Sequence, residues 1–596
     1  MVGSYFLLAA TFIPLLVAPV AYVIGRRAGG VKPAAWFSFA ALAVSTGLLL
    51  IPAIGIYTGQ QTVYAERYPW GQFGDFGLRL DGLSLPFALI IYILCTVIAL
   101  YSRPYMVHRV MEDLPGHGNG GGGRHGGNSS HPLDGSSPPP PLADTNIEAG
   151  SQATVLDTQQ YVNNQVALYF ALYLTFSMGM LGTVLATNLI EFFVFFELML
   201  VPSFFLVAFY GYGARRRIAL MFFFWTHVGA VVLLLGLLAM GFFAGGFDFS
   251  TIKANAGNIP AQWLPLIIFA LVIGLGVKLA AFLVHIWLPY AHAEAPTPIS
   301  ALLSPAMIGI GAYGLLRLWF DLLTGSYQQY SLYISMWGLA TMIYGGAMAL
   351  MQDDVKKVLA YSSISQMGYI LFGLGSESIL GITGGTMMYV THGLGKAILF
   401  MMAGSIILQT GTRSMAKLGG LAGKMPYTAV IAMIGALTII GIPPTSGFMA
   451  EWTLFNGVLQ TATVAMNSLR TIMFALGILA TVLSSAYILW MYKRIFFGKI
   501  PQELSHVKDS NRYITATMGV LAAMTLIIGV YPDLFLKPIT GYINGIFEGH
   551  QGVLPVPVQH DSGRELGGMP KNIEQNAGVG VGGGGEQVAK AAAEER

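Results

Sequence analysis

Charged residues and cysteine are both scarce in this sequence. Asp, Glu, Lys and Arg make up 10% of its 596 residues, which is less than half of the roughly 25% found in soluble domains. The one cysteine, Cys95, cannot form a disulfide framework or hold an iron–sulfur cluster by itself. A net charge of +3 does not favour a nucleic-acid-binding protein. Because phosphate-binding loops and HExxH motifs are also absent, any redox centre must belong to a partner.

Apolar residues make up most of what remains. They account for 55% of the chain, and the mean hydropathy is +0.63, more than the interior of a soluble fold can cover. Stretches long enough to cross roughly 30 Å of hydrocarbon recur about 14 times. They begin near residues 5, 34, 82, 166, 189, 218, 263, 299, 330, 357, 380, 427, 470 and 513. The sequence therefore predicts an all-α polytopic membrane protein.

Basic residues alternate between loops along the chain. Loops that follow odd-numbered spans are rich in Lys and Arg, and loops that follow even-numbered spans are poor in both. By the positive-inside bias, we expect the basic loops in the cytoplasm and both termini outside.

Two segments lie outside this pattern of spans. Residues 114–160 contain runs of Gly and Pro with scattered polar residues, and residues 555–596 are again rich in Gly. Such compositions cannot bury enough apolar surface to fold. We expect a disordered cytoplasmic loop at 114–160 and a disordered tail at 555–596.

A few ionisable residues within the apolar runs are candidates for function. A charge at mid-bilayer costs at least about 2.5 to 3.5 kcal/mol on insertion scales. The carboxylates and lysines in this group are Glu197, Lys278, Lys396 and Glu451, in spans 5, 7, 11 and 12. Glu197 and Lys278 are expected to form an ion pair or a neutral pair. The alternative is a static bridge between two helices.

Four histidines lie in or beside the same runs: His227, His285, His292 and His392. Imidazole has a reference pKa near neutrality and suits a proton relay. His392 and Lys396 are four residues apart and share a helix face. A lone histidine in an apolar helix can instead serve only as a hydrogen-bond partner between helices. Together with the carboxylates and lysines, these residues predict a proton-translocating axis.

Two spans contain features that interrupt helices. Pro443, Pro444 and Gly447 predict a break near the middle of span 12. A second interruption is predicted over 287–300, and Glu294 within it is expected at the boundary with water. Broken helices at membrane depth line protein-enclosed or hydrated cavities.

Several motifs carry a resemblance to a known family. They read FFELMLVPSFFLVAFYG, VKLAAFLVHIWLPYAHAEAPTPISALL, AYGLLRL, DDVKKVLAYSSISQMGYI, HGLGKAILF and GIPPTSGFMAEW. In order and spacing they resemble the antiporter-like membrane subunits of respiratory complex I, most closely the subunit M type, called chain 4 in mitochondria. The likeness covers spans 4 to 13. It implies two inverted five-helix repeats, each with one discontinuous helix.

The resemblance also implies a division of the chain. The expected parts are helices 1–3 over 1–113, the loop 114–160, a first repeat over 161–326 (helices 4–8), a second repeat over 327–500 (helices 9–13), helix 14 over 501–554, and the tail 555–596.

The resemblance assigns roles to some candidates. It implies that Glu197 and Lys278 form an input-side pair and that Glu451 is the exit residue of span 12. Subunit M usually has a lysine four residues before the tyrosine of AYGLLR, where this chain has Gly309. Lys396 is the candidate to serve instead.

The implied activity is proton pumping within an NAD(P)H- or other-donor:quinone oxidoreductase. No cofactor is expected on this chain, whereas quinone, flavin and iron–sulfur centres are expected in partner subunits. The implied partners are membrane-arm subunits of the L, N, K, J, H and A types, a peripheral redox arm and the lipid bilayer of a prokaryotic cell or organellar inner membrane. The alternatives are a subunit of a multi-subunit Na+/H+ antiporter, a membrane-bound hydrogenase subunit and a structural spacer.

Overall fold

The computed structural model describes residues 5–27, 29–71, 74–114, 147–464 and 466–549. The predicted tail at 555–596 and residues 115–146 of the predicted loop lie outside these ranges. The described chain is almost entirely helical, which confirms the predicted fold class.

The first part of the chain contains three helices and one hairpin. Its elements are α1 (Phe6–Gly25), α2 (Val31–Tyr57), β1 (Val63–Pro69), β2 (Asp75–Asp81) and α3 (Ser84–Glu112). The two strands are antiparallel, with Val63 opposite Asp81. The prediction of an all-helical chain missed this short hairpin.

The next helices bring the first candidates into place. They are α4 (Ile147–Leu185), α5 (Leu189–Leu198), α6 (Leu200–Tyr210), α7 (Arg215–Ala244) and α8 (Phe249–Asn255). Residues 147–160, predicted as loop, are instead the beginning of α4. The helix of span 5 is interrupted between α5 and α6 by Met199, two residues after Glu197.

Span 7 is broken, as predicted, but at a different place. It consists of α9 (Leu264–Leu279) and α10 (Trp287–Glu294), so the break lies at 280–286 and much of the predicted interruption is helical. Ala280 and Leu283 in the break have left-handed backbone, with φ of 59° and 77°. A second bend at 295–296 precedes the helical segment Thr297–Asp321, which includes α11 (Thr297–Leu302) and α12 (Gly309–Gly314) with a wider π-helical turn after each.

The second half of the chain contains the remaining helices. They are α13 (Tyr327–Leu350), α14 (Val355–Leu374), α15 (Ile379–Thr410), α16 (Pro426–Ile440), α17 (Ser446–Val464), α18 (Ser468–Phe496), α19 (Arg512–Val530) and α20 (Asp533–Gly549). The break between α16 and α17 contains Pro443 and Pro444, as the missing N–H groups of proline predict. The single helix predicted over 501–554 is two helices, α19 and α20.

Ten helices in the described ranges are long and apolar enough to cross a membrane. The other four predicted spans correspond to the two broken helices, α9–α10 and α16–α17, and to α13 and α14.

Helix α15 forms the centre of the packed core. It is buried almost continuously from Gly381 to Ile406. Neighbouring helices on several sides contact it, among them α3, α11, α14, α16, α17 and α19. A polar residue on this helix is therefore enclosed by protein rather than by lipid.

Candidate functional site

Lys278 lies at the end of α9, where the chain leaves the helix. The helix ends at Leu279, and Ala280 follows in left-handed conformation. The Lys278 side chain is buried, and its Nζ atom lies 4.7 Å from the centre of the Phe196 ring. Nζ has no hydrogen-bond partner among the described residues. A buried amine without a partner is costly, so this group is not a saturated structural contact.

Glu197 pairs with a histidine rather than with Lys278. Its Oε2 atom lies 2.8 Å from Nδ1 of His227, and no ion pair joins it to Lys278 in the described structure. Lys278 is nevertheless within electrostatic range of Glu197. The His227 side chain is 45% exposed, so this pair lies at the protein surface. The direct Glu197–Lys278 pair expected from the sequence is therefore not what the geometry shows.

His285 lies in the break that follows α9. Its Nε2 atom is 3.0 Å from the Tyr344 hydroxyl on α13. The backbone N–H of Phe282 donates to Thr341 Oγ1, also on α13, at 3.1 Å. The break is thus attached to the second half of the chain.

His292 and His392 are both completely buried. None of their four ring nitrogens has a hydrogen-bond partner among the described residues. His292 is within electrostatic range of Lys396, and His392 is within range of both. The structure therefore brings α10 and α15 together at His292, His392 and Lys396, with the His292 ring 5.8 Å from the Phe400 ring.

Lys396 is the member of this group that has protein partners. Its Nζ donates to the Leu359 carbonyl at 3.1 Å and to the Ser362 hydroxyl, both on α14. Ser362 also lies close to the Tyr487 hydroxyl. The Tyr487 hydroxyl donates to Ser484 Oγ at 3.3 Å.

The hydroxyl chain continues towards Glu451. The Tyr369 hydroxyl lies 3.2 Å from Ser484 Oγ, and Tyr369 is within electrostatic range of Glu451. Glu451 lies just after the break in span 12 and is 9% exposed. Its carboxyl is so close to Gly441 that a Cβ there would be 2.5 Å from Oε2. Side chains that can both donate and accept therefore extend from Lys396 towards this carboxyl.

Sequence reasoning missed Lys356, which was counted only as a basic loop residue. It is completely buried, and its Nζ donates to the Ala295 carbonyl at the end of α10. Lys357, its neighbour, is not fully buried. Asp354 accepts the backbone N–H of Lys356 as the N-cap of α14, and this capping position is the signal that could have located Lys356 on the first turn.

Glu294, expected at the boundary with water, lies in a partly exposed ion cluster. Its Oε1 atom is 3.0 Å from Arg413, whose Nε atom is 2.7 Å from Asp354. Burial lowers the pKa of the Arg413 guanidinium, but the charges of Asp354 and Glu294 outweigh it and raise this pKa above its ordinary value.

Within the described ranges, no group of three or more His, Cys, Asp or Glu side chains is arranged to hold a metal ion.

Two family models match this chain. The model described as "NADH:quinone oxidoreductase/Mrp antiporter, TM" matches residues 186–484, and "NADH-Ubiquinone oxidoreductase (complex I), chain 5 N-terminus" matches residues 70–112. The first covers the breaks and every candidate discussed above.

Two similar proteins come from a bacterium and an archaeon. NADH-quinone oxidoreductase subunit M of Rickettsia felis is 32% identical over 377 residues, covering 63% of this chain and 75% of that protein. F(420)H(2) dehydrogenase subunit M of Methanosarcina mazei is 34% identical over 374 residues, covering 61% and 74%.

Solved structures share the fold. A chain of an archaeal membrane-bound sulfane sulfur reductase has a TM-score of 0.71 at 25% identity, with 89% of this chain and 77% of that chain covered. A chain of the Mrp complex from Dietzia sp. DQ12-45-1b scores 0.73 at 20% identity, covering 92% and 99%. A chain of respiratory complex I from Thermus thermophilus scores 0.72 at 21% identity, covering 91% and 99%. The last two likenesses show the fold alone.

Proposed function

Because this chain belongs to the NADH:quinone oxidoreductase/Mrp antiporter family of membrane proteins, we propose that it is a proton-translocating membrane-arm subunit of a complex I-type donor:quinone oxidoreductase. The observation that carries this proposal is the series of buried ionisable groups whose nitrogens lack protein partners. Such groups are expensive in a membrane and mark ion pathways. A purely structural spacer would leave them without a role.

We call the proposed pathway the axis. Its members are Glu197, His227, Lys278, His292, His392, Lys396 and Glu451. His285, which bonds Tyr344, lies beside it. In this proposal the Glu197–His227 pair and Lys278 take up protons, the two buried histidines and Lys396 hold them at the centre, and Glu451 releases them.

The hydroxyls between Lys396 and Glu451 support the exit half of this route. A hydroxyl accepts a proton on one lone pair while it donates its own hydrogen. Ser362 beside Lys396 and the hydrogen-bonded hydroxyls of Tyr487, Ser484 and Tyr369 offer four such groups in this order. A proton leaving Lys396 can reach the neighbourhood of Glu451 without any of these hydroxyls remaining charged.

The two broken helices support a division into repeats. One break lies in the proposed first repeat, 161–326, and the other lies in the proposed second repeat, 327–500. Two consecutive five-helix units must be inverted in the membrane because five is an odd number. We propose the basic loops on the cytoplasmic side, with proton release on the opposite side.

The electron-transfer chemistry is assigned to partners. Neighbouring membrane-arm subunits and a peripheral arm would supply quinone, flavin and iron–sulfur centres, and redox energy would reach this chain as a change in protonation or hydration. The multi-subunit complexes among the similar structures support partners of this kind.

The test of this function is Lys278→Ala in the assembled complex. The variant removes the amine at the break, so we expect electron transfer and assembly to persist while proton pumping by this subunit is lost. Protons pumped per electron pair are measured in inverted membrane vesicles with a pH-sensitive acridine dye, using NADH or reduced F420 as donor. Lys417→Ala, which removes an exposed loop lysine, is the matched control. Unchanged stoichiometry in Lys278→Ala would contradict the proposal.

A subunit of an Mrp-type cation/proton antiporter is the second candidate. The family model that matches residues 186–484 is described by Mrp antiporters as well as by NADH:quinone oxidoreductases, which favours this second candidate. Sodium/proton exchange by reconstituted vesicles in the absence of any electron donor would reverse the ranking. Copurification with redox subunits after mild detergent extraction would support the first candidate.

A further inference from the structure

Tyr389 on α15 has a buried hydroxyl that the route above does not use. The side chain is completely buried, and its Oη atom has no hydrogen-bond partner among the described residues. Most buried tyrosine hydroxyls in this molecule have one. Those of Tyr92, Tyr101 and Tyr173, for example, donate to the carbonyls of Ala10, Met401 and Cys95. An unpaired buried hydroxyl is costly and needs an explanation.

The position of Tyr389 on α15 relates it to the centre of the axis. His392 and Lys396 follow it by three and seven residues in the same helix. Residues at these spacings share one helix face. Tyr389 therefore lies at the end of a row of three polar side chains, of which only Lys396 is hydrogen-bonded by protein.

Helix α12 lies between this row and Lys278. Two glycines in α12 allow the neighbouring groups to approach its backbone closely. Gly309 lies against the Tyr389 ring, where a Cβ would be 2.0 Å from Cε2. Gly311 lies against α9, where a Cβ would be 2.7 Å from the backbone nitrogen of Leu279, next to Lys278. A larger residue at Gly309 would push α12 away from α15, and a larger residue at Gly311 would push α12 away from α9. The sequence thus keeps the Tyr389 ring and the end of α9 as close to the intervening backbone as possible.

From these three observations we infer that the Tyr389 hydroxyl is a proton-relay group of the axis, positioned by Gly309 between the Lys278 end and the His392–Lys396 centre. This inference rests on the proposed function. The hydroxyl accepts a proton from a bridging water on the Lys278 side and donates its own hydrogen towards His392, so that no net charge stays on the tyrosine. A hydroxyl without a fixed protein acceptor is free to pair with a bridging water, whereas one that donates to a backbone carbonyl, as in Tyr92, is not.

Tyr389→Phe tests the inference because it removes only the hydroxyl. Replacing an unpaired buried polar group with an apolar one is neutral or stabilising, so the thermal midpoint of the purified complex should stay the same or rise. Proton pumping per electron pair should fall to the level of Lys278→Ala. The matched control is Tyr92→Phe, an equally buried tyrosine on α3 that lies outside the axis. It should keep full pumping although it loses a hydrogen bond.

Full pumping by an assembled Tyr389→Phe complex would overturn the inference. If that variant does not assemble, Gly309→Ala moves the ring without removing the hydroxyl, and Gly325→Ala, with no atom within 4 Å of the added Cβ, is its control. Reduced pumping by Gly309→Ala supports the inference, and full pumping overturns it.

Should Lys278→Ala itself pump normally, the proposed function fails. Should only Tyr389→Phe pump normally, the function stands and the relay role fails.

Discussion

Two of the regions in which the described structure buries charged groups treat them in opposite ways. Around Arg317 every guanidinium nitrogen is hydrogen-bonded: Nε to Tyr313, Nη1 to Asp321 and Nη2 to both oxygens of Asp81. Along the axis, Lys278, His292 and His392 have no such partners in the described structure. A saturated charge is fixed in one protonation state, whereas an unsaturated one remains available for proton transfer.

The Arg317 cluster also connects parts of the chain that are far apart in sequence. We define it as Arg79, Asp81, Arg317, Asp321 and Tyr542. Its residues come from β2, from the segment Thr297–Asp321 and from α20. The Tyr542 hydroxyl donates to Asp321 at 2.7 Å. The Arg317 cluster therefore holds the hairpin and the last helix, α20, against the bundle. It is not part of the proposed proton route.

The largest effect on stability is expected from Arg317→Met. The variant leaves Asp81 and Asp321 buried without their main partner, and breaking a buried pair in this way costs about 3 to 5 kcal/mol. The thermal midpoint of the detergent-purified protein should fall strongly. Arg494→Met, which removes a partly exposed bridge to Asp353, is the control. Equal thermal midpoints for Arg317→Met and Arg494→Met would show that the buried, fully hydrogen-bonded guanidinium stabilises no more than a partly exposed ion pair. The Arg317 cluster would then not be a stabilising region.

Asp81→Asn should have a smaller and pH-dependent effect. Burial opposes ionisation of Asp81, but the charges of Arg317 and Arg79 outweigh it and hold the pKa of this carboxyl below its ordinary value of 3.8. Its contribution to stability is therefore complete above pH 3.8 and is lost as the pH falls through the lower folded pKa. At neutral pH we expect the variant to lose about 1 to 3 kcal/mol.

Thermal midpoints of wild type and Asp81→Asn, measured from pH 3 to pH 7, test this. The difference between the two proteins should be constant near neutrality and should shrink in acid. A difference that grows as the pH falls would contradict the assignment.

Glu451→Gln should separate stability from function. The substitution keeps the shape of the side chain but removes the exchangeable carboxyl proton. Because Glu451 belongs to the unsaturated region, we expect a change in stability below about 1 kcal/mol together with loss of proton pumping by this subunit. The thermal midpoint and the protons pumped per electron pair are measured on the same preparation. A large loss of stability with normal pumping would show that Glu451 is a structural group, like the residues of the Arg317 cluster.

Much of the fold could be predicted from the sequence because apolar runs have no stable place except the membrane. Thirteen of the 14 predicted starts lie within three residues of the start of a helical segment, whereas α4 begins at Ile147 and not near 166. The Pro443–Pro444 pair identified one break correctly. The hairpin was not predicted, and the contacts that attach it to the bundle are distant in sequence. The carboxylate of Glu66 on β1 accepts the N–H groups of Leu7 and Leu8 at the start of α1, a contact that local spacing cannot reveal.

The site was predictable in its residue types but not in its pairings. Scarce charge in apolar runs identified Glu197 and Lys278, yet the hydrogen-bond partner of Glu197 is His227 on α7. Lys356 and Lys357 are adjacent in sequence, and only their positions on the first turn of α14 decide which is buried. Contacts between helices depend on packing angles and register, which no single segment encodes.

The smallest effect is expected from Lys253→Met, at the edge of the Arg317 cluster. Lys253 Nζ lies 2.6 Å from Asp321, but the lysine side chain is 43% exposed. Exposed ion pairs contribute about 0 to 1 kcal/mol, and Asp321 keeps its bonds to Arg317 and Tyr542. The thermal midpoint and proton pumping should both stay close to wild type. A loss comparable with that of Arg317→Met would mean that charge at the rim, and not saturation of buried donors, is what stabilises this region.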